Sequence, residues 1–228
     1  MYEDVDPPNY TTTLHGQPDG NARTTLFTLT DDATTFWNVM DYASASLTVP
    51  APINSVRMDV NVGGSWIDGA WTDATPGSNN TFALPSGVSA TDVVGVRFQF
   101  RSLDATDTPV QWERPFNPSI DVALRTTRRD TQRSTGNPVT TDEPGMPDNT
   151  GESAPGVISN SVQAHGDGQF GDQTFTDDES DTASTLVKHL VNAISVSKSP
   201  GNPTTPPTYN PVARSPTSSP SPTTASGR

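Results

Sequence analysis

Two stretches of strict alternation between apolar and polar residues constrain the fold more than any other feature of the sequence. Residues 55–62 (SVRMDVNV) place four apolar side chains on one side and the intervening polar side chains on the other, and residues 94–100 (VGVRFQF) repeat the pattern. A period of two is typical of a β-strand with one buried face. The Gly63-Gly64 pair then indicates a hairpin turn into residues 65–71 (SWIDGAW).

Further strand-like segments occur along the chain, whereas helical periodicity is nearly absent. They are residues 23–30 (RTTLFTLT), 120–127 (IDVALRTT) and 157–164 (VISNSVQA). An apolar run at residues 184–196 fits a strand, although Leu186, Leu190 and Val191 would also share one face of a helix. The 22 prolines and 17 glycines oppose long helices. We therefore predict an all-β fold, an antiparallel β-sandwich of the immunoglobulin-like or adhesin-like kind with a disordered C-terminal tail.

Changes in composition divide the chain into five predicted segments. They are an irregular N-terminal segment (1–23), a β-sandwich module (24–127), a long loop or module boundary (128–156), further strands (157–198), and a Pro/Ser/Thr-rich tail (199–228). The strands of the fourth segment would either complete the sandwich or form a second small module. The tail is too poor in apolar residues to bury a core, so we expect it to be disordered and extended.

Charge and cysteine content exclude several classes of function. The formal net charge of −13 opposes binding to nucleic acid and to anionic membrane surfaces, because both depend on clustered Lys and Arg. The chain contains no cysteine, which excludes disulfides, thiol catalysis and thiolate metal sites. Apolar runs are too short for a transmembrane helix, so we expect no direct membrane insertion. Residues 1–9 carry no signal-peptide pattern, and an exported protein of this sequence would therefore be a piece of a longer one.

A set of short segments spread over residues 24–200 forms a pattern that resembles a known family. The segments are DATTFW (32–37), PAPINSVRMDVNVGG (50–64), WIDG (66–69), LPSGV (84–88), DVVGVRFQF (92–100), WERPFNP (112–118), VALRTTRR (122–129), VISNSVQA (157–164) and ISVSKSP (194–200). Together they resemble the repeat modules of very large actinobacterial cell-surface proteins, the adhesin-type β-sandwich arrays. The resemblance implies one module, or a fragment, of such an array.

The resemblance implies a non-enzymatic structural or adhesive role at the cell surface. Such a module would act as a spacer or display unit, located outside the cell or in the cell wall. Its partners would be neighbouring β-sandwich modules, glycans, or host or cell-surface proteins. The Pro/Ser/Thr-rich tail would serve as an extended stalk.

Candidate catalytic residues do not form a recognisable constellation. His15, His165 and His189 occur in unrelated contexts, and the sequence has no GxSxG motif. Glu113 lies beside Arg114, which fits a surface ion pair better than one member of a carboxylate pair. We predict that the protein is not an enzyme and has no catalytic residues, and a secreted hydrolase ranks last among the hypotheses.

An acidic, glycine-containing segment at residues 165–181 (HGDGQFGDQTFTDDESD) is the candidate metal site. Calcium prefers several oxygen ligands on a flexible loop. The spacing does not match an EF-hand, and a solvated acidic loop is the alternative interpretation. Calcium is thus the one cofactor considered, with ligands drawn from Asp167, Asp172, Asp177 and Asp178.

Two tryptophans after the Gly-Gly turn, Trp66 and Trp71, are the candidate glycan-binding residues. Exposed tryptophan rings can stack on sugars, and a carbohydrate-binding β-sandwich is therefore the alternative function. The competing interpretation is packing within the protein, because aromatic side chains contribute a large buried area.

A lysine near the end of the last apolar run, Lys198, is the candidate for an isopeptide crosslink to an Asn or Asp side chain. The sequence offers no identifiable partner segment. The alternative is an ordinary solvated lysine, since long charged side chains are mostly exposed.

Overall fold

The computed structural model describes residues 9–20, 22–112, 118–141 and 154–187. The first strands are β1 (Asn9–Gly16), β2 (Arg23–Asp31), β3 (Met40–Thr48), β4 (Ser55–Val62), β5 (Ser65–Ile67) and β6 (Thr72–Asp73). They are followed by β7 (Asn79–Phe82), β8 (Val93–Leu103), β9 (Pro109–Val110), β10 (Ile120–Arg128), β11 (Val157–Phe170) and β12 (Gln173–Leu186). A short helix, α1 (Thr34–Trp37), precedes β3, and a 3-10 turn (Ala90–Asp92) precedes β8. No helix within the described ranges is long and apolar enough to span a membrane.

The strands form two sheets in which every pairing is antiparallel. The smaller sheet has the order β1-β10-β3-β7, and the larger has the order β12-β11-β2-β8-β4-β5, with β6 beside β4 and β9 beside β8. Neighbours in both sheets are mostly distant in sequence, which is common in sandwiches. The prediction of an all-β, antiparallel β-sandwich is confirmed.

The two sheets face each other across an apolar core. Val56, Met58 and Val60 of β4 are buried there, as their alternation predicts. Phe98 of β8 packs edge-on against Phe82 of β7 with ring centroids 5.0 Å apart, so this contact joins the two sheets. Full burial of a side chain of this size contributes about 1.5–3 kcal/mol.

The segment predicted to be irregular, residues 1–23, contains the strand β1. This strand pairs along its whole length with β10, from Asn9 opposite Thr127 to Gly16 opposite Ile120. Three of its eight residues (NYTTTLHG) are threonines, and Leu14 is the side chain that it buries most deeply in the core. An edge strand held mainly by backbone hydrogen bonds needs little apolar alternation, which is why the prediction was wrong at this point.

The acidic segment at residues 165–181 is part of a long β-hairpin and not a loop. β11 and β12 are each fourteen residues long and pair from Val157–Leu186 to Phe170–Gln173. β11 also pairs with β2, which joins the hairpin to the larger sheet. The alternation of apolar and polar residues is weak here, because the side chains on both faces of β12 are mostly exposed to solvent.

Residues 129–141 lie within the segment predicted as a long loop or boundary, and two arginines hold them against the sandwich. Arg129 Nη1 and Arg133 Nη2 lie 2.6 and 2.5 Å from Asp41 Oδ1. Arg133 also donates hydrogen bonds to the carbonyls of Trp37 and Met40. The predicted tail (199–228) lies outside the described residues.

The beginning of β1 and the end of β12 lie at the same end of the sandwich. Tyr10 packs on Phe36 of α1 with ring centroids 6.4 Å apart. Leu186 lies opposite Val157, close to where the Thr35 hydroxyl of α1 donates to a carbonyl of β11. We call this end, formed by the start of β1, α1 and the end of β12, the attachment end. The opposite end, formed by the β1–β2 and β8–β9 loops and the β11–β12 turn, is the distal end.

Candidate functional site

The outer face of the larger sheet carries a layer of alternating arginine and tryptophan side chains over β4 and β8. We call it the tryptophan–arginine layer, and its members are Arg57, Trp66, Trp71, Arg97 and Arg101. The Arg97 guanidinium lies 4.7 Å from the ring centroid of Trp66, and Arg101 and Arg57 lie 3.7 and 5.1 Å from that of Trp71. Cation–π contacts of this kind hold the segment between β5 and β6 against the sheet.

A glycine allows this segment to lie so close to the sheet. A Cβ atom at Gly69 would stand 2.0 Å from the carbonyl oxygen of Met58, so a side chain there would displace the segment from β4. The tryptophans on either side of Gly69 can reach the arginines because the backbone approaches β4 directly at this point.

Beneath the tryptophan–arginine layer lies a buried carboxylate, Asp59, with no exposed surface. Arg57 Nε lies 2.9 Å from Oδ1 and Arg97 Nη2 lies 2.7 Å from Oδ2. Gln99 Nε2 and the Gly69 amide complete the set by donating hydrogen bonds of 2.6 and 3.0 Å. Alternation correctly placed Asp59 on the outer face, but it could not show that the next segment covers it. A carboxylate with this many donors is a structural ion.

The two candidate glycan-binding residues, Trp66 and Trp71, are half-buried members of the tryptophan–arginine layer. One face of each ring is occupied by a guanidinium group. Packing within the protein therefore accounts for both side chains, and the glycan-binding hypothesis stays a prediction. A change in tryptophan fluorescence on titration with a soluble polysaccharide would be the measurement that supports it.

Replacing Trp71 by alanine should lower the free energy of unfolding by about 1–2 kcal/mol, because two cation–π contacts and the cover over β4 are lost. Trp71→Phe keeps an aromatic face toward Arg101 and should cost about half as much. Urea unfolding followed by circular dichroism measures both variants. Equal stability of Trp71→Ala and the unaltered protein would show that the layer contributes nothing to folding.

The four candidate calcium ligands are not brought together. Asp167 and Asp178 contact opposite ring nitrogens of His165 at 3.2 and 2.7 Å, whereas Asp177 lies on the other face of the hairpin and Asp172 lies in its turn. Within the described ranges, no group of three or more acidic or histidine side chains could hold a metal ion. The hydrogen bond that the His165 ring donates to Asp178 raises the pKa of His165, with Asp167 adding to the effect.

The remaining sequence candidates are separated or lie outside the described residues. His15 is on β1, 2.6 Å from Asp121, while His165 is on β11 in the other sheet. His189 and the proposed isopeptide residue Lys198 lie outside the described residues. The described histidines therefore do not share a site.

The inner face of the β11–β12 hairpin forms an open trough near the distal end, which the sequence did not predict. We call it the hairpin trough, and its lining includes Ala164, Gly166, Gly168, Phe175, Asp177 and Glu179. Phe27 of the core lies opposite Gly166, so the trough continues the interior face of the larger sheet beyond the cover of the smaller one. The β1–β2 loop forms its far wall, and the volume of the trough is about 530 Å³.

Apolar surface and negative charge meet at the hairpin trough. Phe170 and Phe175 are 69% and 46% exposed, which is unusual for side chains of this size. Asp19, Asp177 and Glu179 lie around the same cavity. The only signal in the sequence is the phenylalanine at each side of the hairpin turn in GQFGDQTF.

Comparisons with known proteins identify no family. The sequence matches no protein-family model. It has no significant match among curated proteins. We therefore infer function from the fold and from the surfaces described above.

Proposed function

We propose that this protein is a non-enzymatic display module of a bacterial cell-surface protein, located outside the cell or in the cell wall. It is held at the attachment end and presents its distal end to partners. The segmental resemblance to actinobacterial surface modules supports the location. The observation that carries the proposal is that β1 begins and β12 ends at the same end of the sandwich.

The position of these two strand ends favours a display unit over a spacer. A spacer in a linear array receives the chain at one end and returns it at the other. Here the segments on both sides of the described sandwich connect to the attachment end. Since β11 has fourteen residues at roughly 3.3 Å each, the hairpin turn stands roughly 45 Å from that end.

The distal end has the features of a surface that binds partners. It is built from loops and a hairpin turn on a rigid sandwich, the arrangement on which proteins commonly carry binding residues. It also holds the two exposed phenylalanines beside the hairpin trough. Arg57 and Arg97 of the tryptophan–arginine layer are already paired with Asp59 beneath it, so we assign these charged groups to stability.

Chemical labelling on intact cells tests both the location and the orientation. The chain has no cysteine, so a single introduced thiol gives a signal without background. Asp172→Cys places it in the hairpin turn at the distal end, and Ser134→Cys places it in an exposed loop at the attachment end. We expect a membrane-impermeant maleimide carrying a bulky polymer to label Asp172→Cys on intact cells several-fold faster than Ser134→Cys.

One control and two contrary outcomes make the result decisive. Both variants should react at similar rates after purification, because both positions are exposed. Labelling of Asp172→Cys only after cell lysis would contradict the surface location. Equal labelling of both positions on intact cells would contradict attachment through one end.

A further inference from the structure

We propose that the outer edge of β12, together with the hairpin trough, binds an extended peptide segment that adds a strand to the larger sheet. The segment carries an apolar side chain at one end and basic side chains at alternate positions along the rest. Its apolar side chain packs against Phe175 in the hairpin trough, and its basic side chains pair with the acidic row of β12, which consists of Asp177, Glu179 and Asp181. This inference depends on the proposed function only in taking the distal end as the presenting end.

The free backbone edge of β12 is the first observation. β12 is the last strand of the larger sheet and pairs only with β11 among the described strands. Residues 173–184 are exposed along this edge. An edge strand presents N–H and C=O groups with which an extended peptide can pair when it joins a sheet. In β12 the amides of Asp178 and Thr182 are not free, because they donate to the carboxylates of Asp177 and Asp181.

The side chains on the inner face of β12 supply the specificity. Phe175, Asp177, Glu179 and Asp181 follow one another at a spacing of two, so they point to the same face. Their partners on β11 are small or of medium size, namely Gly168, Gly166, Ala164 and Val162. The acidic row therefore rises above its neighbours and remains accessible to a strand placed beside it.

The charge of the row determines which kind of strand fits. A second copy of the chain would place three carboxylates against three carboxylates, and like charges directly opposite each other destabilise a sheet. The net charge of −13 adds a further repulsion between copies. A segment with Lys or Arg at alternate positions instead forms an opposite-charge pair at each step.

The trough exists because glycine occupies two positions of β11. A Cβ atom at Gly168 would lie 2.9 Å from the side chain of Ala22, whereas one at Gly166 would meet only Phe27 at 3.9 Å. A side chain can therefore be introduced at Gly166 without a clash at Cβ. A leucine there would occupy the trough and block the apolar side chain of the peptide.

Synthetic peptides test the proposal on the full-length protein. The probes are fluorescein-labelled FTKTKTK and its reverse, KTKTKTF, which cover both strand directions. The controls are FTTTKKK and KKKTTTF, which have the same composition and charge without the alternation. We expect fluorescence anisotropy to show that one alternating peptide binds at least about tenfold more tightly than the block peptides. Bound peptide should also slow amide hydrogen exchange in β12.

Two single variants identify the site, and one double variant identifies the charge contribution. Gly166→Leu and Phe175→Ala should each weaken binding of the alternating peptide by about tenfold. Asp177→Asn combined with Glu179→Gln should weaken it similarly and reduce its dependence on salt. Phe175 is 46% exposed, so its removal leaves the core intact, and thermal melting of each variant verifies that it folds.

Equal binding of alternating and block peptides would reduce the effect to general electrostatic attraction and overturn the proposal. Unchanged affinity of folded Gly166→Leu and Phe175→Ala would also overturn it. The peptide-binding measurements use purified protein, so an absence of specific peptide binding would leave the surface-labelling result unaffected. A protein that binds the peptide but is labelled only after lysis would refute the display function alone.

Discussion

Replacing Asp59 by asparagine is expected to lower the free energy of unfolding by about 3 kcal/mol at neutral pH. The substitution keeps the size of the side chain and removes its charge. Arg57 and Arg97, which are only 18% and 28% exposed, would then lose the buried one of the two carboxylates that they share. Removing one member of a largely buried ion cluster leaves the others with an uncompensated desolvation cost.

Asp68 provides the matched control for this experiment. Its Oδ1 lies 3.7 Å from Arg57 and 3.5 Å from Arg97, so it contacts the same two arginines, but its side chain is 66% exposed. Asp68→Asn should change stability by less than about 1 kcal/mol. Urea unfolding of both variants measures the difference. Equal losses would mean that the buried position of Asp59 has no special role.

Replacing Asp31 by asparagine should stabilise the protein at pH 7 by about 3 kcal/mol, the opposite effect to Asp59→Asn. Asp31 is fully buried, and burial raises its pKa to about 6, against the lowering effect of hydrogen bonds from Asn160 and Trp37. A difference of one pKa unit corresponds to about 1.4 kcal/mol. At pH 7 the carboxylate is therefore mostly ionised, and the charged form is less favourable in the folded state than in the unfolded state.

The pH dependence gives the sign of this effect. An acid whose pKa is higher in the folded state contributes stability below its unfolded value of 3.8, and this contribution is lost as the pH rises through about 6. The stability difference between Asp31→Asn and the unaltered protein should therefore grow by about 2 kcal/mol between about pH 4.5 and pH 7. Urea unfolding at several pH values measures this change.

Asparagine fits the surroundings of Asp31. Trp37 Nε1 donates to Asp31 Oδ1 at 2.8 Å, and Asn160 Nδ2 donates to Oδ2 at 2.7 Å. Asn160 Oδ1 is buried and accepts no hydrogen bond from any residue that the structure describes. A rotated Asn160 amide could accept from the new amide group. Asp172→Asn controls for net charge, and a constant stability difference between the two variants across this range would contradict the assignment to Asp31.

The two buried carboxylates show how far sequence patterns extend. Alternation in residues 55–62 and 94–100 predicted β4 and β8, because one face of each of these two stretches is apolar. It also placed Asp59 on the outer face. It gave no sign that the segment around Gly69 covers this face, since that depends on a close approach between segments that the pattern does not encode. Asp31 also escaped the pattern. It follows Phe27 and Leu29 on the inward-facing side of β2, and it is buried where it accepts a hydrogen bond from Trp37.

The hairpin trough was beyond prediction for a different reason. Its floor consists of glycines and its row of side chains is acidic, so the apolar alternation that marks a strand is missing from residues 165–181. The same composition suggested a loop and a calcium site. Backbone pairing with β2 decides the structure of this segment. The acidic side chains then alternate between the two faces of the hairpin.

The shared position of the β1 start and the β12 end has a mechanical consequence. A tension applied through the two flanking segments pulls on the outermost strand of each sheet, and both pulls act at one end. The load then falls on one pair of backbone hydrogen bonds at a time, first beside Thr127 and Val157, in the manner of a zipper. Strands pulled from opposite ends would instead share the load along their length. We expect this fold to yield to such a force progressively from the start of β1 and the end of β12, with the distal end loaded last.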